Sequence, residues 1–290
     1  MKFSKELLGT ILHINIEDEV INTNDFIFCV WIVESFENKY SRFIENNTLA
    51  KINSQKKAII DSELYSLITL ANKVSEISEW YYDISILPFL ENSGYWISET
   101  KIEEKFWYKN IIVSEQKNDN NSNKWEKKYS LELKNNISIE LGSLGKWYLI
   151  DKIYNYLSKK YTKFIIDFGW DIKVKWEYSI DLEDPQNAKK SIWKISLHNS
   201  SIAWSSWNKR VFNNTHHLIS KHKSAIWENK KSLFVTHPLS IMSDSFATAL
   251  YVSPLKICKK IIAHTPNLEA YIIMEDWEVL KSNWFDVSFS

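Results

Sequence analysis

Two pairs of side chains in this sequence have the types and spacing to do chemistry. Asp244 and Thr248 fall four residues apart in Met242–Val252, a stretch whose pattern predicts a short helix, so both oxygens share one face. Hard oxygen donors at that spacing suit Mg²⁺. The same pair also occurs as a helix cap with a solvated hydroxyl, and spacing does not choose between the two. His216 and His217 are neighbours in His216-His217-Leu218-Ile219, and on a strand they face opposite ways. An imidazole at 217 titrates near neutrality and can carry a proton or a phosphoryl group, or it can be a satisfied structural residue. Arg42 and Arg210 are the only arginines. A guanidinium grips phosphate through paired N–H bonds, and it serves equally in a structural ion pair.

Positioning such groups requires rigid elements. In Asp61–Ile77 the apolar residues Leu64, Leu67, Ile68, Ala71, Val74 and Ile77 recur every three or four positions, which predicts an amphipathic helix capped by Asp61 or Ser62. A second helix is predicted over Trp147–Lys160. Strands are predicted at Leu8–Ile16 and Phe26–Val33, as an N-terminal hairpin turning at Asn22–Asp25, and at Thr162–Phe168, Ile172–Trp176, Ile192–Leu197, Leu233–Thr236 and Tyr271–Met274. Glu115–Lys128 has little to bury and reads as a solvated loop between strands. Helices and short strands without a regular βαβ rhythm predict an α+β fold of mixed sheets with packed helices, a single compact unit over residues 1–290.

Composition narrows the function classes. With 44% hydrophobic and 25% charged residues the chain is globular, and 36 basic against 36 acidic residues leave no field to draw it onto nucleic acid or anionic lipid. Cys29 and Cys258 carry no CxxC spacing and read as buried small hydrophobes. The first residues lack a secretory signal, and no apolar stretch is long enough for a transmembrane segment. Location is left between the cytoplasm and a membrane-associated extracytoplasmic form after processing. One count is abnormal: 5 glycines and 14 tryptophans in 290 residues, where average usage of about 7% would give roughly 20 glycines. UGA is read as tryptophan in some genetic codes and as glycine in others. Many of these tryptophans are therefore expected to stand where glycine belongs, the alternative being a truly Trp-rich, Gly-poor protein.

The motifs agree in order with one family. Leu8-Gly9-Thr10, Tyr40-Ser41-Arg42-Phe43 with Ile52-Asn53, Glu79-Trp80-Tyr81-Tyr82-Asp83-Ile84 with Pro88-Phe89-Leu90, and Gly94-Tyr95-Trp96 come first. Glu140-Leu141-Gly142-Ser143-Leu144-Gly145-Lys146-Trp147-Tyr148-Leu149-Ile150-Asp151 is the most specific, followed by Phe168-Gly169-Trp170-Asp171-Ile172, Ser205-Ser206-Trp207 with Arg210, His216 to Ile219, and Ser243-Asp244-Ser245-Phe246-Ala247-Thr248-Ala249-Leu250. Glu275-Asp276-Trp277-Glu278 and Ser282-Asn283-Trp284-Phe285 close the series. In these motifs the chain resembles the ApbE-type flavin transferases, FAD:protein FMN transferases, over nearly its whole length. Trp80, Trp96, Trp147, Trp170, Trp207, Trp277 and Trp284 fall on family glycines, whereas Trp193 sits where the family itself often has Trp.

The resemblance implies an Mg²⁺-dependent enzyme that takes FMN from FAD, attaches it to a Thr or Ser hydroxyl of an acceptor protein, and releases AMP. It implies metal binding by Asp244, Thr248 and Ser143, the last through its carbonyl, and a catalytic part for His217 and Asp244. It implies a flavin-nucleotide site lined by Leu8, Phe43, Tyr81, Tyr82, Asp83, Glu140, Lys146 and Ile219. Glu140 replaces the family aspartate, and Ser220-Lys221 replaces its Asp-Pro. A non-catalytic flavin-binding protein, or an FAD pyrophosphatase, is the alternative that these departures leave.

Overall fold

The computed structural model describes residues 1–86, 107–116, 127–185, 187–206, 211–212, 215–216, 230–283, 285 and 287–289. In chain order its elements are β1 (Lys2–Leu7), β2 (Thr10–Ile16), α1 (Asn24–Tyr40), α2 (Thr48–Gln55), β3 (Lys57–Ile60), α3 (Ser62–Ile77), β4 (Ile111–Glu115), β5 (Tyr129–Leu133), α4 (Gly142–Leu157), β6 (Phe164–Phe168), β7 (Ile172–Lys175), β8 (Glu177–Asp184), β9 (Asn187–His198), β10 (Ser201–Ser206), β11 (Val211–Phe212), β12 (Thr215–His216), β13 (Lys230–His237), α5 (Ser240–Val252), α6 (Leu255–His264), β14 (Glu269–Met274), β15 (Val279–Lys281) and β16 (Val287–Phe289). The fold is α+β, as the sequence predicts. The chain packs as two compact units, one from Met1–Glu37, Leu144–Lys209 and Trp227–Ser290, the other from Asn38–Ser143 and Arg210–Ile226.

The first unit is built on an eight-stranded antiparallel sheet in the order β1-β2-β6-β7-β10-β13-β14-β15. Alternation along β2 buries Leu12, Ile14 and Ile16, and along β6 it buries Phe164, Ile166 and Phe168, so register is set by which face is apolar. A smaller sheet, β16-β9-β8, shares a core with the large one through Leu182, Trp193, Ile195, Leu197, Phe234, Tyr271 and Phe285. The second unit holds the sheet β3-β5-β4 and helix α3, where Asp61 accepts from Leu64 N at 2.9 Å as the sequence predicts for a cap. The predicted loop Glu115–Lys128 does join two strands, since β4 ends at Glu115, β5 begins at Tyr129 and the two pair.

One predicted element is of the wrong type. Phe26–Val33 is a helix, and the N-terminal hairpin is instead β1 with β2. An unbroken apolar run reads as strand or helix alike. What decides is the extension to Tyr40, which brings Phe26, Cys29, Val33, Phe36 and Tyr40 onto one buried face while Ile27 and Trp31 stay exposed. The second helix starts at Gly142 and ends at Leu157, ahead of the predicted span. Gly145 permits its approach to α1, because a Cβ there would stand 2.7 Å from the Phe36 ring.

Asp25 ties α1 to the end of α4. Its carboxylate is 2% exposed and accepts from Tyr156 Oη at 2.5 Å, Lys160 Nζ at 2.5 Å and Tyr161 Oη at 2.7 Å. Burial pushes its pKa up, but the Lys160 ammonium and the two phenol donors outweigh that and hold it below the usual 3.8. A carboxylate with a depressed folded pKa contributes stability that is complete above the unfolded value and lost as pH falls through the folded one. Thermal melts at decreasing pH should therefore show Tm falling below pH 3.8, and Asp25→Asn should flatten that acid limb; an unchanged limb would remove Asp25 from the account.

Candidate functional site

Helix α5 carries Asp244 and Thr248, both half-buried and one turn apart. Its own N-cap residue is Leu239, which has no side-chain acceptor. The acceptor comes from α4: Asp151 Oδ1 takes Ser240 N at 3.0 Å, and Asp151 Oδ2 takes Ile241 N at 3.0 Å. The same carboxylate accepts from Lys173 Nζ at 2.5 Å, and Lys173, 2% exposed, also donates to Pro238 O at 2.8 Å. At the other end the buried Lys230 ammonium donates to the carbonyls of Tyr251 and Ser253. A carboxylate at the N-terminus and an ammonium at the C-terminus both complement the helix dipole and satisfy end groups that would otherwise be buried bare. Against β10 the helix approaches closely through Ser243, whose Oγ lies 2.7 Å from Ser201 Oγ.

The turn between β1 and β2 and the turn between β6 and β7 lie side by side, since Leu12 pairs with Phe168 and Gly169 N donates to Ile11 O at 3.2 Å. Leu8 (φ 52°) and Gly9 (φ 69°) make the first turn, Gly169 (φ 68°) and Trp170 (φ 73°) the second. Asp171 follows directly, is 5% exposed and forms an ion pair with Lys146 of α4. Nearby, burial raises the pKa of Asp167, partly offset by the hydrogen bond from Trp170 N at 2.8 Å and by His13 and Lys146. Leu8, Lys146 and Asp171 thus belong to one end of this unit.

In the second unit Tyr81, Tyr82 and Asp83 follow α3. Asp83 is 5% exposed and accepts from Ser85 N at 2.9 Å and Tyr108 N at 2.7 Å, which makes it the organiser of its own turn. Glu140 joins this segment, its N–H donating to Ile84 O at 3.0 Å, and its carboxylate takes Gly142 N at 2.7 Å where α4 begins. Ser143 lies in the first turn of α4. Phe43 is 63% exposed, with the Arg42 guanidinium 4.8 Å above its ring. His217, Ile219 and Arg210 lie outside the described residues.

Sequence reasoning names Asp244, Thr248 and Lys146 but misses the residues that hold them. Asp151 and Asp171 stand inside the quoted motifs, so the signal was present; Lys173 and Lys230 show none, because nothing in a strand marks a lysine as buried. Among the described residues no group of three His, Cys, Asp or Glu side chains could hold a metal. A cation at α5 would rest on oxygen donors of mixed kind, the Asp244 carboxylate and the Thr248 hydroxyl. That set fits a hard ion such as Mg²⁺ and does not fit zinc.

An α+β protein with a long antiparallel sheet, an ion-paired lysine at one end of it and a helix pinned at both ends bearing Asp and Thr defines the class. The chain matches the ApbE family over residues 8–272 and belongs to that family. The ApbE protein of Thermotoga maritima superposes with a TM-score of 0.80 at 20% identity, covering 98% of this chain and 97% of that one. The Pseudomonas stutzeri flavinyl transferase ApbE gives 0.76 at 12% identity, over 98% and 95% of the two chains. The Vibrio cholerae flavin transferase ApbE gives 0.76 at 14%, over 98% and 97%. No curated protein matches the chain by sequence. Among the described residues no helix is long and apolar enough to cross a membrane.

Proposed function

We propose that this chain is an FAD:protein FMN transferase. The observation that carries the reading is α5, which presents Asp244 and Thr248 together and is held at both ends by buried charges. Membership of the ApbE family supports it, as do the flavin transferase names of the Pseudomonas stutzeri and Vibrio cholerae proteins that share the fold. Asp244 and Thr248 would hold Mg²⁺, with Ser143 as the further contact that the motif resemblance implies. When bound, the cation supplies charge neutralisation on the diphosphate oxygens.

In this reading the hydroxyl oxygen of a Thr or Ser in the acceptor protein attacks the FMN-side phosphorus of FAD. The new P–O bond forms as the bond to the bridging oxygen breaks, and AMP leaves with that oxygen. His217 takes the hydroxyl proton. Lys146, neutralised by Asp171, keeps its ammonium fixed at the end of the sheet beside the turn containing Leu8, where it would bind the nucleotide rather than move a proton. Tyr81, half-buried, would offer aromatic surface suited to an isoalloxazine, whereas Tyr82 is 3% exposed and packs inside the unit.

The test uses protein isolated from its own cells, incubated with FAD, Mg²⁺ and a flavinylation-site acceptor. In-gel fluorescence reads covalent FMN and chromatography reads AMP. A fluorescent band with matching AMP, both lost on chelation, is the expected result. AMP without a band would replace the reading with FAD hydrolysis, and FAD binding without AMP would replace it with a carrier.

A further inference from the structure

We infer that the protein made in its own cells carries glycine at positions 80, 170, 176 and 277, where the written sequence has tryptophan. The inference rests on backbone geometry and holds whether or not the transferase reading does. Among the described residues twelve that are not glycine have positive φ: Leu8, Asn46, Lys56, Glu79, Trp80, Asn135, Asn136, Trp170, Trp176, Asn199, Asn267 and Trp277. The asparagines are ordinary there, because their short polar side chains tolerate the left-handed region. Tryptophan is not, yet it supplies four of the twelve, at φ 69°, 73°, 75° and 69°.

Two of the four, Trp170 and Trp277, stand in hairpin turns whose hydrogen bonds specify a glycine. Gly169 and Trp170 are the two central residues of the β6–β7 hairpin, closed by Phe168 N to Asp171 O at 2.9 Å. With both φ positive this is the two-residue hairpin that calls for Asn-Gly or Gly-Gly. Trp277 closes the β14–β15 turn, its N–H donating to Met274 O at 3.1 Å while Met274 N donates to Glu278 O at 2.9 Å. That is the pattern of a turn followed by a left-handed bulge residue, normally glycine. Trp80 N donates to Ser75 O at 2.7 Å and Glu79 N to Glu76 O at 3.1 Å, the bond pair that ends a helix with Glu79 at the usual left-handed position; Trp80, at φ 69°, adds a second left-handed residue directly after it. Trp176, outside the motifs, makes the one-residue bend between β7 and β8.

The indoles at three of these positions face largely outward, Trp170, Trp176 and Trp277 being 62%, 57% and 41% exposed, with His198 edge-on to Trp176 and Lys231 Nζ 4.1 Å over the Trp277 ring. Trp193 and Trp204 contrast with them. Trp193 is 7% exposed and lies edge-on to Tyr271, and Trp204 Nε1 donates to Ser232 Oγ at 2.7 Å while its ring stacks on Phe234. Both have ordinary strand backbone. Position 147 is helical, so the backbone requires no glycine there. Trp193 and Trp204 thus combine packed indoles with strand backbone, whereas positions 80, 170, 176 and 277 have the left-handed backbone that favours glycine. A single codon read in two ways accounts for that division, with UGG at the first kind and UGA at the second.

Peptide mass spectrometry of protein purified from the source cells tests this directly, with the gene's codons read alongside. Peptides spanning 80, 170, 176 and 277 should each be lighter by an indolylmethyl group exchanged for hydrogen, with UGA codons, while those spanning 193 and 204 should keep tryptophan from UGG. Tryptophan masses at the four positions overturn the inference. A second measurement compares recombinant chains. Trp→Gly at all four positions should raise Tm above that of the chain as written, whereas Trp193→Gly should lower it; a fall with the fourfold change counts against the inference.

Discussion

Replacing Asp151 by alanine is expected to destabilise the protein by about 3–5 kcal/mol, the range for breaking a buried ion pair on one side only. Asp151 is 7% exposed and Lys173 2%, so the ammonium left behind stays buried with Pro238 O and the Tyr154 ring, 4.2 Å away, and no counter-charge among the contacts described. The N–H groups of Ser240 and Ile241 lose their acceptor as well, which adds the ordinary cost of a missing cap. The double variant Asp151→Ala with Lys173→Met removes both charges and should recover most of the loss, leaving about 1 kcal/mol for the cap. Chemical denaturation of the three chains decides. If Asp151→Ala unfolds within about 1 kcal/mol of the parent, the pair is not what anchors α5. Because that helix bears Asp244 and Thr248, Asp151→Ala should also weaken Mg²⁺-dependent AMP release in the protein that remains folded.

Asp244→Ala carries the largest expected effect on activity. A bound cation contributes several kcal/mol to stabilising charge at a phosphoryl centre; losing about 3 kcal/mol of that corresponds to roughly a hundredfold slower transfer. Asp244 is half-buried, and the end anchors Asp151 and Lys230 remain in this variant, so the helix should stay seated and Tm should change little. Thr248→Ala, which removes a neutral donor, should cost less. Raising Mg²⁺ should restore part of the rate in Thr248→Ala and little in Asp244→Ala. Transfer at the parental rate in Asp244→Ala would remove this helix from the reaction.

Features set within a few residues are legible in the sequence. Helix α3 shows its apolar stripe and its Asp61 cap because period and cap are local facts. The order of motifs along the chain is enough to name the family, and of the seven tryptophans that the resemblance sets on family glycines, those at 80, 170 and 277 have positive φ while 147 is helical. Phe26–Val33 was misread because a continuous apolar run has no period to separate strand from helix. Trp176 was missed because it lies in no motif; only its φ of 75° exposes it.

What the sequence by itself determined is the local conformation of turns and caps, the candidate pair Asp244 and Thr248, and the family. What the tertiary structure decided is how α5 is held. Leu239 cannot cap a helix, and no neighbour in sequence does so; the acceptor is Asp151, 89 residues earlier, with Lys173 beside it and Lys230 at the far end. Long-range pairs of this kind leave no periodic mark, since a buried lysine and an exposed one are written alike. Their energies depend on desolvation, which exists only once the sheet and the helices have closed around them.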